Sequence, residues 1–144
     1  IRGPFHAVVH KSDYRMDFFL KDRHGVSIYA CSFQIGIGED DSTPEGYFVV
    51  TRGGKLTDPD WKNPRTREYF AGGDPKNPIG KFWIGLTGTD EQTKDLVGYG
   101  IHGTIDPDSI GKTSSMGCIR LLTGDVELVF KTLVGQYSTV QIQK

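Results

Sequence analysis

The chain has 144 residues, a length that suits one domain built around a single hydrophobic core. Its formal net charge is −1 and Lys and Arg form no run of five or more, which argues against nucleic-acid binding. No apolar stretch approaches the roughly 18 residues that a membrane-spanning helix needs. Because the first residue is Ile1 rather than Met, we expect residues 1–144 to be one domain excised from a longer protein.

The composition and the hydrophobic pattern of the first third predict a mainly β domain. Glycine makes up 19 of 144 residues, about 13% against a usual ~7%, and together with seven prolines it indicates many turns. Period-two alternation over residues 6–20, interrupted by a turn at 11–14, predicts two strands. The same pattern predicts a third strand over residues 25–37 and a short fourth strand over 46–51.

The alternation is lost between residues 53 and 78, where four prolines and Gly72-Gly73 indicate a long irregular excursion. Trp61, Tyr69 and Phe70 give this segment apolar anchors, so we expect an ordered flap. Two hypotheses for these aromatic residues stay open. Either they fold over a functional site and exclude water from it, or they only pin the segment to the core.

The last third of the chain predicts two buried strands, one helix and a final strand. The apolar, glycine-containing segments 82–86 and 97–102 are typical of central strands. Thr123 is placed to cap the helix and Gly135 to end it, and residues 139–142 are expected to return as a strand. The helix itself is predicted by an apolar stripe with helical spacing, which consists of Val126, Val129, Phe130, Leu133 and Val134.

The two cysteines have different surroundings in the sequence. Cys31 lies in an apolar run and is expected to be a small buried hydrophobe, whereas Cys118 follows Gly117 in a turn. Two cysteines cannot build a disulfide framework, and a bond between them would consume the Cys118 thiol. A thiol with an ordinary pKa of about 8.5 is only a few per cent ionised at pH 7, so as a nucleophile it needs a base beside it.

His102 is the candidate base, because it ends an apolar strand and precedes Cys118 by 16 residues. That spacing lets a loop return and place the thiol beside the strand end. Backbone N–H groups at Gly117 could converge on a developing oxyanion, and Arg120 offers a planar fork for a substrate carboxylate. Each residue alone also has an ordinary explanation: a core cysteine, a structural histidine at a strand end, and an arginine paired with a nearby carboxylate.

Several motifs stand in a fixed order along the chain. The central series consists of His102, Ser115, Gly117, Cys118, Ile119 and Arg120. Supporting segments lie at residues 43–48, 77–80, 83–86, 101–104 and 109–111. In this order they resemble the catalytic domain of the YkuD-type L,D-transpeptidases, bacterial enzymes that remodel peptidoglycan. The signature of that family is His, a spacer of about this length, Ser or Thr, His, Gly, Cys, an apolar residue, and Asn or Arg.

The resemblance implies a mainly β fold, with mixed β-sheets forming a sandwich, one packed α-helix and a long flap. It implies that the substrates are peptidoglycan stem peptides and that carbapenem-type inhibitors bind. It further implies that no metal or organic cofactor is needed, and that the enzyme works in the periplasm or cell wall. From the sequence we also expect a monomer, without nucleic-acid partners and without membrane contact within this chain.

The resemblance also implies a role for each site residue. Cys118 would attack the L-to-D peptide bond of a tetrapeptide stem, with His102 as the base and the Gly103 carbonyl orienting the imidazole. Backbone N–H groups of Gly117 and Cys118 would form the oxyanion hole, and Arg120 would hold a stem carboxylate. An amine acceptor would then resolve the thioester by forming a cross-link, whereas water would resolve it in an L,D-carboxypeptidase reaction.

The remaining expected substrate contacts include one departure from the family pattern. We expect Ser115, Met116, Trp83 and Tyr99 to line the substrate site. The family usually has His immediately before the Gly-Cys pair, where this chain has Met116. A methionine sulfur is only a weak acceptor and carries no proton at neutral pH. We therefore expect an active enzyme with altered acceptor preference or pH dependence, and the alternative is a weakened or silent peptidoglycan-binding relative.

Overall fold

The computed structural model describes residues 4–115 and 117–144, with Ser114 and Ser115 described by their backbone alone. Met116, one of the expected substrate contacts, lies outside the described residues. The strands are β1 (His6–His10), β2 (Arg15–Lys21), β3 (Ser27–Gln34), β4 (Ile37–Gly38), β5 (Gly46–Thr57), β6 (Trp61–Lys62), β7 (Tyr69–Phe70), β8 (Phe82–Gly88), β9 (Gly100–His102), β10 (Thr113–Ser115), β11 (Ile119–Arg120) and β12 (Thr139–Gln143). The described residues form one α-helix, α1 (Thr123–Thr132), and three short 3-10 turns at Lys11–Asp13, Glu39–Asp41 and Pro107–Ser109.

Eight of these strands form one mixed sheet in the order β11-β9-β8-β5-β12-β1-β2-β3. The β1–β12 and β9–β11 pairs are parallel, and the other neighbours are antiparallel. The sheet curls until its two ends meet, because Gly36 and Arg120 exchange two backbone hydrogen bonds of 2.9 Å. The predicted mainly β fold with one helix is therefore confirmed, and its layers are formed by one curled sheet.

The inside of the curled sheet and one face of α1 form the hydrophobic core. Alternate residues of the strands point inward, as the period-two pattern predicted, and Val126 and Val129 of α1 are fully buried against them. The helix is also fixed by Phe130, whose ring lies 4.7 Å from that of Phe82 between centroids. Within the described residues, no helix has the length and apolar character that crossing a membrane requires.

The helix is shorter than its apolar stripe predicted. Thr123 is the first helical residue rather than the N-cap, and Leu122 in the N-cap position makes no side-chain cap. Leu133 has left the helix with extended backbone and is still fully buried, whereas Val134 is exposed. The end is set by Lys55, whose ammonium donates hydrogen bonds of 2.8 and 2.9 Å to the Phe130 and Leu133 carbonyls. Such a contact satisfies carbonyls that the end of a helix leaves without intrahelical partners.

Three predicted strands have different bounds in the structure. The strand predicted over 25–37 breaks after Gln34, because the chain turns at Gly36 to pair with Arg120. The strand predicted to end at residue 51 continues through an irregularity at Gly53 (φ 69°) as far as Thr57. The strand predicted over 97–102 keeps only its last three residues, since Gly98 adopts a left-handed turn (φ 82°).

Cys31 is only partly buried, which corrects the prediction of a fully buried residue. It belongs to β3, an edge strand of the sheet, so one side of the strand packs on the core while the other side faces solvent. Both Cys31 and Cys118 are free thiols.

Candidate active site

Three neighbouring strands bring Trp83, His102 and Arg120 into one row. Trp83 of β8 is directly opposite His102 of β9, and His102 is in turn level with Arg120 of β11. Directly paired residues of adjacent strands project to the same face of a sheet. Cys118 stands two residues before Arg120, and all four side chains line the same cleft. The sheet thus brings into one cleft the two residues that were predicted to act as nucleophile and base, which lie 16 apart in sequence.

The His102 ring is held in one orientation by two contacts. Its Nδ1 lies 2.5 Å from the backbone carbonyl oxygen of Gly103. Because a carbonyl oxygen only accepts hydrogen bonds, Nδ1 carries the proton and Nε2 keeps its lone pair. The Trp83 indole stacks on the imidazole, with ring centroids 5.8 Å apart and planes 14° from parallel. The side chain is only 6% exposed, so the ring has little freedom to leave this position.

The surroundings of His102 favour its neutral form. Burial, assisted by the positive charge of Arg120, lowers its pKa to about 4, although the contact with the Gly103 carbonyl opposes this. At pH 7 the imidazole is therefore uncharged. A neutral imidazole with a lone pair on Nε2 is the form that can accept a proton.

The Cys118 thiol is also neutral at rest. Its Sγ donates to the backbone carbonyl of Gly98 over 3.8 Å. Burial raises its pKa to about 11, although the Gly100 backbone N–H and the Arg120 cation both oppose this shift. Both pKa shifts favour a thiol and a neutral imidazole over a preformed thiolate–imidazolium pair. Such a site ionises its nucleophile only when a proton moves to the base during attack.

The turn that precedes Cys118 requires glycine. Gly117 has φ 111°, a left-handed conformation that L side chains rarely adopt. A Cβ at this position would lie 2.7 Å from the Tyr99 ring and 2.9 Å from the Ser42 carbonyl oxygen. Tyr99, which we expected to contact substrate, is not among the described residues that line the cleft. Its ring instead lies against the Gly117 turn.

Arg120 is buried, and part of its hydrogen-bonding capacity serves the fold. Its Nη2 donates to the Ile37 carbonyl over 3.1 Å and to the Lys112 carbonyl over 3.2 Å. The Asp106 carboxylate also interacts with the guanidinium. Arg120 therefore ties β4 and the segment before β10 to the row of site residues. It also lines the cleft, which is where the expected contact with a substrate carboxylate would occur.

The cleft has a volume of about 620 Å³, which is within the usual range for ligand pockets. Its wall includes Trp61 and Phe70 of the flap, whose rings stack 6.1 Å apart. Tyr69, the third predicted anchor, is 61% exposed and does not line it. The flap is ordered by Asn77, a buried residue whose amide donates to the Pro59 carbonyl over 2.9 Å.

Several lining residues were given no role in the sequence analysis. Pro78 and Ile79 belong to the 77–80 motif, so their position in an ordered motif was a usable signal. The same holds for Thr104 in the 101–104 motif and Ser109 in the 109–111 motif. The others carry no pattern that points to a cleft. They are Asn63, Pro64, Glu68, Lys76, Gly98, Ile105 and Asp106.

The other histidines have structural partners. His6 bonds to the Thr139 hydroxyl over 2.7 Å, and His10 lies 3.1 Å from the Asp17 carboxylate. Over residues 4–115 and 117–144, no group of three or more His, Cys, Asp or Glu residues is arranged to hold a metal ion.

Comparison with known proteins gives consistent matches. The family model of the YkuD L,D-transpeptidase catalytic domain matches residues 4–142. A putative L,D-transpeptidase of Bacillus subtilis, YqjB, is 42% identical over 96 residues, which cover 65% of this chain and 48% of the relative. The chain thus spans about half the length of that relative.

Solved structures show the same fold. An L,D-transpeptidase from Mycobacterium tuberculosis superposes with a TM-score of 0.68 at 15% identity, covering 98% of this chain and 58% of that one. The L,D-transpeptidase LdtMt1, solved in complex with imipenem, superposes with a TM-score of 0.65 at 15% identity, covering 97% of this chain and 59% of its own. The match of the family model to nearly the whole chain assigns this protein to the YkuD family of L,D-transpeptidase catalytic domains.

Proposed function

We propose that this domain is a peptidoglycan L,D-transpeptidase that transfers an acyl group through a thioester on Cys118. The observation that carries the proposal is the His102 imidazole, neutral and oriented by Gly103, in the same cleft as the Cys118 thiol. Trp83 stacking fixes the ring further. A base held in one tautomer beside a thiol is the arrangement that thiol-dependent acyl transfer requires.

In the proposed reaction, Cys118 Sγ attacks the carbonyl carbon of the L-to-D peptide bond in a tetrapeptide stem. His102 Nε2 accepts the thiol proton as the carbon–sulfur bond forms. Backbone N–H groups of Gly117 and Cys118 stabilise the oxyanion of the tetrahedral intermediate. When the intermediate collapses, the carbon–nitrogen bond breaks and His102 gives the proton to the nitrogen of the departing D-amino acid. The rest of the stem stays bound to Cys118 as a thioester.

The same residues carry out the second half of the reaction, in which the Cys118 sulfur is the leaving group. An acceptor amine attacks the thioester carbonyl, and His102 takes the proton that the amine loses. Collapse of the second intermediate forms the new amide bond, and the proton returns to Cys118. Water in place of the amine would give L,D-carboxypeptidase activity. A flap lined by Trp61 and Phe70 supports transfer over hydrolysis, because an apolar cover excludes water.

Arg120 has two roles in this proposal. Its cation lies near enough to Cys118 to favour the thiolate form, which supports a role in stabilising the sulfur as it loses its proton. Its position in the cleft wall also supports a contact with a stem carboxylate. We propose Trp83 and Ser115 as further substrate contacts.

The substrate class sets the place of action. Peptidoglycan stems lie outside the cytoplasmic membrane, so we propose that the domain works in the periplasm or the cell wall. The imipenem complex of LdtMt1 supports carbapenem binding to this chain as well. We further propose that the enzyme acts as a monomer.

The proposal is tested by incubating the protein with imipenem and measuring its intact mass. We expect one covalent adduct, mapped to Cys118, in the wild type and in Cys31→Ser, and none in Cys118→Ala. Absence of an adduct in folded protein at pH 6 to 9 would exclude the enzyme and favour a silent peptidoglycan-binding domain.

A second measurement separates the two outcomes of the thioester. A defined tetrapeptide muropeptide is supplied with and without an amine acceptor. We expect cross-linked product in the presence of the acceptor. A tripeptide muropeptide as the sole product, without cross-linked material, would favour an L,D-carboxypeptidase.

A further inference from the structure

A buried lysine clamps the segment that follows β4. Lys11 belongs to the 3-10 turn after β1 and is only 6% exposed. Its ammonium donates to the Asp41 carboxylate over 2.7 Å and to the Thr43 carbonyl over 2.7 Å, and it lies 3.3 Å from the Glu45 carboxylate. A lysine is rarely buried unless it is paired, because an isolated buried charge is strongly destabilising. All three partners of Lys11 belong to residues 39–45, which we call the clamp segment.

The clamp segment has a strained backbone that needs such support. Asp40 and Asp41 both have left-handed backbone, with φ of 53° and 56°, and each such residue costs on the order of 1 kcal/mol. Lys11 bonds directly to the second of them. Thr43 adds an internal brace, because its buried hydroxyl accepts the Gly38 backbone N–H over 2.7 Å.

The clamp segment forms the wall behind the Gly117 turn. The Ser42 carbonyl oxygen would lie 2.9 Å from a Cβ at Gly117. From the other direction, a Cβ at Gly38 would lie 2.6 Å from the Gly117 backbone nitrogen and would collide with the Ser42 hydroxyl. No side chain fits between these backbones. A shift of the clamp segment would therefore be transmitted directly to the turn that carries the proposed oxyanion donors.

We propose that Lys11 is a positioning residue for acyl transfer, which holds the Gly117 turn in place through the clamp segment. The inference rests on the proposed function, because it assigns the turn to the oxyanion. Lys11 does not line the cleft, so it acts through backbone geometry rather than through contact with substrate. Misplacement of catalytic groups by about 1 Å can slow a reaction by roughly 100-fold, so a distant clamp of this kind affects the rate.

The test compares two reactions of the same thiol in the variant Lys11→Met, prepared in a Cys31→Ser background. Acylation by imipenem passes through an oxyanion, whereas alkylation by iodoacetamide is a displacement that forms none. We expect acylation of Cys118 to slow roughly 10- to 100-fold, with alkylation changed by less than about twofold. Lys131→Met is the matched control, because Lys131 also pairs with a carboxylate (Glu127, 3.2 Å) but is exposed on α1.

The outcomes are distinguishable. An unchanged acylation rate in Lys11→Met, or an equal fall in both reactions, would overturn the positioning role while leaving the proposed function intact. A parent protein that imipenem does not acylate would overturn the proposed function and the inference with it. If Lys11→Met fails to fold by circular dichroism, the double variant Asp41→Asn, Glu45→Gln decides the matter. We expect it to reduce acylation several-fold without reducing alkylation, and no reduction would overturn the inference.

Discussion

The two halves of the curled sheet use their polar side chains in different ways. In the half that contains β1, β2, β3 and β12, the Asp17 carboxylate is almost fully buried and has three side-chain partners. It accepts from Arg15 over 2.9 Å and from Ser32 over 2.6 Å, and it lies 3.1 Å from His10. Burial alone would raise the pKa of Asp17, but these contacts together outweigh it and the pKa is lowered. The hydrogen bonds of this carboxylate therefore stabilise the fold.

In the other half, formed by β5, β8, β9 and β11, His102 of β9 keeps one ring nitrogen available. His102 uses Nδ1 for the Gly103 carbonyl and its ring face for Trp83, while Nε2 has no hydrogen bond to any described residue. Both halves contain a strand histidine with a hydrogen-bonding partner, so a partner alone does not mark function. The difference is that the folded structure leaves His102, which lines the cleft, with a ring nitrogen that can still accept a hydrogen bond.

The largest difference in activity is expected between variants of the two cysteines, which lie at or next to the strands at opposite ends of the strand order. Cys118→Ala should abolish imipenem acylation and transpeptidation, a loss of about 10³-fold or more, because no other group in the cleft is a comparable nucleophile among the described residues. Cys31→Ser should retain at least half of the activity. Rates are measured by intact mass against time. Substantial activity in Cys118→Ala would contradict the assignment of the nucleophile.

The two histidines provide the next contrast. His102→Gln should slow acylation roughly 10²- to 10⁴-fold, because an amide cannot accept the thiol proton. His10→Gln should leave the rate within about twofold and instead destabilise the fold by about 1 kcal/mol, because Asp17 loses one of its partners. Equal rate losses in the two variants would remove the distinction between the halves.

The pH dependence of stability tests the burial of His102. The pKa of this group falls from 6.5 when unfolded to about 4 when folded, so between these values the unfolded chain binds a proton that the folded chain does not. Stability should therefore rise with pH across this window and be lost as the pH falls, by on the order of 3 kcal/mol. Urea unfolding at pH 7, 5.5 and 4.5 measures it, and His102→Asn should show a shallower dependence. Identical slopes would mean that the imidazole is more hydrated than its burial indicates.

The flap offers a contrast between two aromatic residues of one hairpin. Trp61→Ala should raise the ratio of hydrolysed to cross-linked product several-fold, since the cleft loses part of its apolar cover. Tyr69→Ala should leave the ratio unchanged, because Tyr69 is exposed outside the cleft. An unchanged ratio in Trp61→Ala would leave the aromatic residues as anchors only.

The smallest effect concerns the ion pair between Arg65 in the flap and Glu39 in the clamp segment, at 2.8 Å. Both side chains are exposed, and such pairs contribute at most about 1 kcal/mol. Arg65→Ala should therefore raise hydrolysis by no more than about fivefold, and 0.5 M salt should produce the same change in the wild type. A variant that responds to salt as strongly as the wild type would show that this pair does not hold the flap.

The parts of the fold that could be predicted are those where one face of an element is buried. The alternation in β1, β2, β8 and β12 and the stripe of α1 follow directly from burial on one side. The bounds that were wrong depend on contacts between distant residues. Gly36 ends a strand because it meets Arg120, and α1 ends where Lys55 reaches its last carbonyls. Local pattern contains neither contact.

The site follows the same division. Cys118, His102 and Gly117 could be singled out as candidates because their chemistry and order are readable in the sequence, and the structure places Cys118 and His102 in one cleft. The lining by Ile105 and the placement of Tyr99 behind the turn were not predicted, since an apolar or aromatic residue in a loop carries no signal about which cavity it faces. The Lys11 clamp was missed for a related reason: a lysine in a predicted turn is expected to be exposed.

The pairing of Gly36 with Arg120 has a consequence for how the candidate site assembles during folding. These residues are the seam at which the two ends of the sheet meet, and they are 84 positions apart in the chain. Contacts between such distant residues are slow to form, because the entropy of closing a long loop is lost before the contact stabilises the chain. Arg120 is level with His102 in the neighbouring strand, and its guanidinium donates to the Ile37 carbonyl across the seam. The closed seam therefore fixes the Arg120 side chain that lines the cleft, and a chain with an open seam would carry the Cys118 thiol without a fixed cation near it.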